Sequence, residues 1–164
     1  MSAMFPDAII DAARTLLAMA EARGVRLATA ESCTGGLIAG CLTEIAGSSA
    51  VVDRGYVVYD NRAKMEMLGV RESTLARDGA VSEATAREMA DGALARSGCG
   101  LAVAVTGIAG PGGGSEEKPV GLVYLALASE NGVTARKFIF PGDRQFIRTL
   151  AVNAALDLIR RKLR

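Results

Sequence analysis

The segment ATAESCTGGLIAG, residues 28–40, sets Glu31, Ser32, Cys33 and Thr34 directly before two glycines and between apolar residues. A hydroxyl or thiol there could attack a carbonyl carbon, provided that a neighbouring base takes its proton. The chain has no histidine. That excludes Ser-His-Asp and Cys-His arrangements and any histidine-ligated metal, and leaves Lys, Asp, Glu, Tyr or Cys as the base. Lys64, in YDNRAK at residues 59–64, is a specific candidate. If Asn61 caps the following helix, Lys64 falls at its third position, where a capping box prefers Glu or Gln and the helix dipole disfavours a cation. The dipole contributes only about 0.3–1 kcal/mol, less than one pKa unit, so burial or a second cation must supply the rest of any shift toward neutrality.

Each of these residues also has an ordinary structural use. Ser32 or Thr34 can simply cap a helix. Cys33 is either a rival nucleophile, activated by a helix N-terminus, or a packed inert thiol. Lys64 can be a solvated lysine paired with a carboxylate. Arg144 and Arg148, one helical turn apart after Pro141-Gly142-Asp143, either grip a phosphate or are exposed helix arginines. Known motif spacings do not decide the matter. The hydrolase elbow GxSxG needs a glycine where Ala30 stands, SxxK needs a lysine at Gly35, and the phosphate loop needs a lysine where Ser115 follows Gly114.

The elements that must hold these residues can be read from periodicity. Residues 7–23 form an amphipathic helix with Gly24 at its end, 25–30 a short buried strand, and 37–45 a second helix, so that ESCTGG occupies a strand-to-helix turn. Residues 51–59 are β-rich and 61–68 form a short helix stopped by Gly69. Ser82 caps a long helix reaching about residue 97. Residues 101–105 and 122–128 are apolar strands flanking the glycine-rich loop 106–121. Asn131-Gly132 signals a hairpin to a strand at 133–140, and 143–161 is a terminal helix. The expected fold is α/β: a single domain over residues 1–164, three-layer α/β/α with a mixed β-sheet.

In such sheets ligands bind beyond the carboxyl ends of the strands, where ESCTGG and TGIAGPGGG both lie. The candidate substrate-binding residues are therefore Glu31, Cys33, Thr34, Gly35 and Gly36 in the first loop and Thr106, Gly107, Gly110, Gly112 and Gly113 in the second. Asn61, Arg144 and Arg148 complete the set. Unpaired N–H groups of Thr34, Gly35 and Gly36 at a helix start would suit a phosphate or an oxyanion.

Composition narrows the partner. With 50% apolar and 23% charged residues the chain reads as a globular domain, and no apolar run approaches the roughly 18 residues that cross a bilayer. The N-terminal MSAMFPDAIID lacks the pattern of a secretory signal, so a cytoplasmic location is expected. Three cysteines without a CxxC pair point to reduced thiols rather than a disulfide framework or a zinc site. A net charge of +1, no tryptophan and 4% aromatic residues provide neither a basic field nor stacking platforms, so neither nucleic acid nor membrane is the expected partner. A small molecule is.

The ordered segments ATAESCTGG, IAGSS, YDNRAK with LGV, GAVSE, TGIAGPGGGSEEKPVG and PGDRQFIR span nearly the whole chain. Together they resemble the C-terminal domain of the competence/damage-inducible CinA proteins, a family that includes stand-alone nicotinamide-nucleotide amidases. The family often has Ser where Asp60 stands. The resemblance implies hydrolysis of the carboxamide of nicotinamide mononucleotide to nicotinate mononucleotide and ammonia, with no cofactor and no metal. It also implies a serine nucleophile assisted by lysine, carried here by Ser32 and Lys64, with Tyr59 as a further participant, and a homodimer. It extends to the C-terminal domain alone, so activities of the CinA N-terminal domain are not carried over. Two alternatives stand beside this one: a non-catalytic nucleotide-binding module using the same loops, and an amidase that depends on Cys33.

Overall fold

The computed structural model describes residues 4–164. Its elements are α1 (Asp7–Ala22), β1 (Leu27–Glu31), α2 (Leu37–Thr43), β2 (Val52–Val57), α3 (Asn61–Leu68), α4 (Glu72–Asp78), α5 (Glu83–Ser97), β3 (Leu101–Gly107), β4 (Leu122–Ser129), β5 (Gly132–Ile139) and α6 (Arg144–Lys162). A single 3₁₀ turn, Ser48–Ala50, precedes β2. The five strands form one sheet in the order β2-β1-β3-β4-β5. β1 runs parallel to both β2 and β3, whereas β3–β4 and β4–β5 are antiparallel, so the sheet is mixed as expected.

Burial explains the strand patterns. β1 and β3 are central and covered on both faces, and nearly every residue in them is buried. β5 is an edge strand and alternates between half-buried and exposed positions. The hairpin lies one residue earlier than Asn131-Gly132 suggests: Ser129 pairs with Gly132, so Glu130 and Asn131 form the turn.

The two faces of the sheet differ. Leu27, Leu101, Val103, Val105, Val123, Leu125 and Leu127 pack with α1, α2 and α6. The opposite face is built from Ala28, Ala30, Ala102, Ala104, Ala126 and Ala128, and meets α5 and α3. Alanine's short side chain lets α5 lie closer to the strand backbones than the helices opposite. The same economy continues outward: a Cβ at Gly92 of α5 would fall 1.9 Å from the Leu68 carbonyl oxygen at the end of α3. Only glycine fits that helix contact.

Periodicity leaves residues 69–81 without a helix, yet α4 forms there. It has no side-chain cap of its own. Its start is instead anchored to α5, where the Glu88 carboxylate accepts from Arg71 N at 2.8 Å, from Arg71 Nη2 at 2.6 Å and from Thr74 Oγ1 at 2.6 Å. Tertiary hydrogen bonds hold a seven-residue helix too short to be stable alone.

Candidate active site

β2 runs parallel to β1, so its carboxyl end emerges beside that of β1. Val58 N donates to Glu31 O at 2.9 Å, and the chain then turns into α3. The cap of α3 is Asp60, whose carboxylate accepts from Arg62 N at 2.8 Å. The expectation of an Asn61 cap is therefore corrected by one residue. Asp offers a better-placed acceptor, Asn61 becomes the first helical residue, and Lys64 moves to the fourth position rather than the third. Asn61 is exposed and lies outside the cavity described below.

Lys64 points inward. Its side chain is 1% exposed, and Nζ donates to Ser32 Oγ at 3.0 Å, to Val58 O at 3.0 Å and to Tyr59 O at 3.2 Å. Among the described residues no carboxylate forms an ion pair with it. Burial is the chief cause that lowers its pKa below the ordinary lysine value, against opposing charge effects from Asp60 and Cys33. An ammonium would give one N–H to each of the three oxygens. A neutral amine, with two N–H groups on the two carbonyls, is left with its lone pair toward Ser32 Oγ, the geometry of a base beside a hydroxyl nucleophile.

The turn carrying Ser32 is braced by Glu31. Its buried carboxylate accepts from Thr34 Oγ1 at 2.6 Å, Ile38 N at 2.8 Å, Ala39 N at 3.0 Å and Thr29 Oγ1 at 3.3 Å. The N–H groups of Ile38 and Ala39 at the start of α2 are thus already taken by an internal carboxyl group. Glu31 and Thr34 are structural parts of the turn rather than cavity residues. The Gly35 N–H is likewise taken, donating to Ser32 O at 3.0 Å, and Gly36 is the left-handed residue that starts α2, against Val57.

Ser32 and Lys64 open into a cavity of about 280 Å³. Cys33, Tyr59, Thr106, Gly107, Gly110, Gly112, Gly113 and Arg144 line it, together with Ala80, Val81, Ile108 and Ala109, which sequence reasoning did not single out. The signal for Ala80 and Val81 was GAVSE, the approach to α5. The Thr106 hydroxyl donates to Ala80 O at 2.7 Å and fixes that segment over the end of β3. Burial pushes the Cys33 thiol up to about 12, outweighing the lowering by its own backbone N–H and by the Arg148 and Lys64 charges, so little thiolate exists near neutral pH.

The two arginines of α6 part company. Arg144 lines the cavity, donating from Nη1 to Gly110 O at 2.9 Å and from Nη2 to Tyr59 Oη at 2.9 Å. Arg148 does not line it; Nε donates to Cys33 O at 3.2 Å and Nη2 to Thr34 O at 3.1 Å. A larger cleft of about 810 Å³ lies beyond Val81. Its cations are engaged internally: Arg77 with Asp78 at 2.7 Å, Arg87 with Glu83 at 2.9 Å, and Lys118 on Asp78 O at 2.6 Å.

Comparison with known proteins agrees with the fold. The nicotinamide-nucleotide amidohydrolase PncC of Escherichia coli K12 is 53% identical over 140 residues, which is 85% of this chain and 85% of that protein. The CinA-like protein of Geobacter sulfurreducens is 55% identical over 141 residues, covering 86% of this chain and 34% of its own length. The chain thus spans about a third of the length of several curated relatives it matches. The crystal structure of the competence/damage inducible protein CihA from Agrobacterium tumefaciens superimposes with a TM-score of 0.95 at 54% identity, covering 98% of both chains. The sequence profile of the CinA C-terminal domain matches residues 10–163, and the chain belongs to that family.

Proposed function

We propose that the chain is an amidohydrolase acting on a small-molecule pyridine nucleotide, converting the carboxamide of nicotinamide mononucleotide to a carboxylate with release of ammonia. The observation that carries this reading is the buried Lys64 amine held by two carbonyls and placed 3.0 Å from Ser32 Oγ. The activity of the E. coli relative, as its name describes it, supplies the substrate class. The cavity has room for a pyridine carboxamide, and the ribose phosphate would extend past Tyr59, which is 59% exposed at the mouth. Arg144 retains free N–H groups there and is the arginine suited to the phosphate.

Ser32 Oγ attacks the amide carbon while Lys64 Nζ takes its proton, and backbone N–H groups of the turn stabilise the resulting oxyanion. Collapse breaks the C–N bond. Lys64 returns the proton to the leaving amine, ammonia departs, and an ester on Ser32 remains. Water then attacks that ester and gives a proton to Lys64, which passes it to Ser32 Oγ as the carboxylate product leaves.

Ammonia release from nicotinamide mononucleotide, with its riboside as control, tests the reading. Ser32→Ala should lower kcat by at least about 10⁴ while leaving substrate binding largely intact, since the hydroxyl acts covalently. The riboside should be a much poorer substrate. Saturable binding of the nucleotide without ammonia release by the wild type would instead favour a binding module, and loss of activity in Cys33→Ala with retention in Ser32→Ala would move the nucleophile to the thiol.

A further inference from the structure

Arg148 is a half-buried cation without a carboxylate within ion-pair distance among the described residues, held instead on two consecutive carbonyls of the nucleophile turn. We propose that Arg148 is a positioning residue for the oxyanion site, and that the Cys33 N–H is the donor it aims. The inference rests on the amidohydrolase reading of Ser32 and adds to it the origin of transition-state stabilisation.

The argument follows the peptide planes. In a trans peptide the C=O and N–H point in opposite directions. Arg148 Nε fixes the Cys33 carbonyl, so the Thr34 N–H faces away from the guanidinium. Nη2 fixes the Thr34 carbonyl, so the Gly35 N–H also faces away, and it donates to Ser32 O at 3.0 Å. That bond fixes the next plane, whose N–H belongs to Cys33. The cation, two peptides and one hydrogen bond thus form a chain that ends on the N–H directly after the nucleophile, and each link polarises the next.

Two observations complete the case. Neither the Cys33 N–H nor the Thr34 N–H has an acceptor on another of the described residues, although both residues are buried; the Cys33 N–H meets only its own thiol. A buried amide without a partner is rare and calls for a reason. Cys33 also lines the cavity beside Ser32, where the oxygen of an attacked carbonyl would develop its charge. Gly35 serves the same arrangement: its φ of +58° is left-handed, and a Cβ there would press on Arg148 Nη2 at 3.4 Å.

The test compares Arg148→Lys and Arg148→Met with the wild type on nicotinamide mononucleotide and its riboside. Lysine keeps the charge but cannot span two carbonyls. Both variants should lose about 10–100-fold in kcat, somewhat less than deletion of an oxyanion donor itself, with KM changed by less than about threefold and the ratio of the two substrates preserved. An unchanged kcat, or a rise in KM confined to the nucleotide, overturns the proposal in favour of a structural or phosphate-binding arginine. A second measurement needs no variant. Pyridine-3-boronic acid, which forms a tetrahedral adduct on a serine, should move the wild-type Cys33 amide proton downfield more than any other amide proton, and a Cys33 amide that stays in place overturns the assignment. If the wild type releases no ammonia, the amidohydrolase reading fails on its own, whereas the boronate experiment still decides the donor.

Discussion

The two faces of the sheet use opposite packing strategies. On one side leucine and valine interlock with α1, α2 and α6; on the other a row of alanines lets α5 settle almost onto the strands. The bulky face gains its stability from buried area, at about 25 cal/mol per Å². The alanine face buries less per residue and depends on close fit, down to the contact of Gly92 with the Leu68 carbonyl. The cavity draws on both sides, with Cys33, Ala109 and Arg144 coming from the bulky side and Lys64 from the alanine side. α3, which brings Lys64, packs on α5, and the cap of α5 ties down the wall of the cavity: Ser82 Oγ and Thr85 Oγ1 donate to Gly79 O at 3.0 and 2.7 Å. The comparison teaches that close helix packing places a lysine amine deep enough to lose its solvation, whereas the bulky face holds the frame in which that happens.

The sharpest way to test this division is Lys64 itself. Lys64→Met should lower kcat by about 10²–10⁴, the usual contribution of a general base. Lys64→Arg should not restore it, because arginine keeps the charge but does not give up its proton near neutral pH. Normal kcat in the arginine variant would reduce Lys64 to an electrostatic residue.

Neighbouring positions on β4 then separate the faces. Leu125 points to the bulky side and Ala126 to the other, both fully buried. Leu125→Ala should cost about 2–5 kcal/mol in denaturant unfolding, with kcat of the folded protein nearly unchanged. Ala126→Leu should cost about 1–3 kcal/mol by overpacking and should also reduce kcat/KM, since it displaces the helix that anchors the cavity wall. Equal kinetic effects from the two would abolish the distinction.

The smallest effect is in pH dependence. Burial lowers the pKa of folded Lys64 below the ordinary 10.5, so between those two values the unfolded chain binds more protons than the folded one. The cost of burying the cation is present in full below that window and fades as pH rises through it. The stability of Lys64→Met relative to wild type should therefore fall as pH increases across the window, by about 1.4 kcal/mol for each unit of lowering. A difference independent of pH would mean that folded Lys64 keeps an ordinary affinity for its proton.

Much of the fold was legible in the sequence because it rests on local signals. The apolar runs of β1, β3 and β4, the Ser82 cap and the glycine stops of α3 and α5 all lie within a turn of what they control. α4 was not legible, since its start is fixed by Glu88 on another helix. At the site, the absence of histidine and the odd placement of Lys64 singled out a pair that the structure brings into hydrogen-bond contact, but Asn61 was taken for the cap that Asp60 provides. Nothing in the spacing of the helix-start glycines reveals that the Glu31 side chain folds back onto the N–H groups of Ile38 and Ala39.

By itself the sequence determined the order of helices and strands, the strand-end location of ESCTGG and the elimination of histidine chemistry, because periodicity, caps and composition are properties of the chain alone. Only the tertiary structure decided that Lys64 is buried against Ser32, that Arg144 faces the cavity and that Arg148, one turn further along the same helix, turns to the carbonyls of Cys33 and Thr34. The physical reason is that desolvation and hydrogen-bond direction are set by neighbours many residues away, as the sequence separations of 32 from Ser32 to Lys64 and 115 from Cys33 to Arg148 make plain.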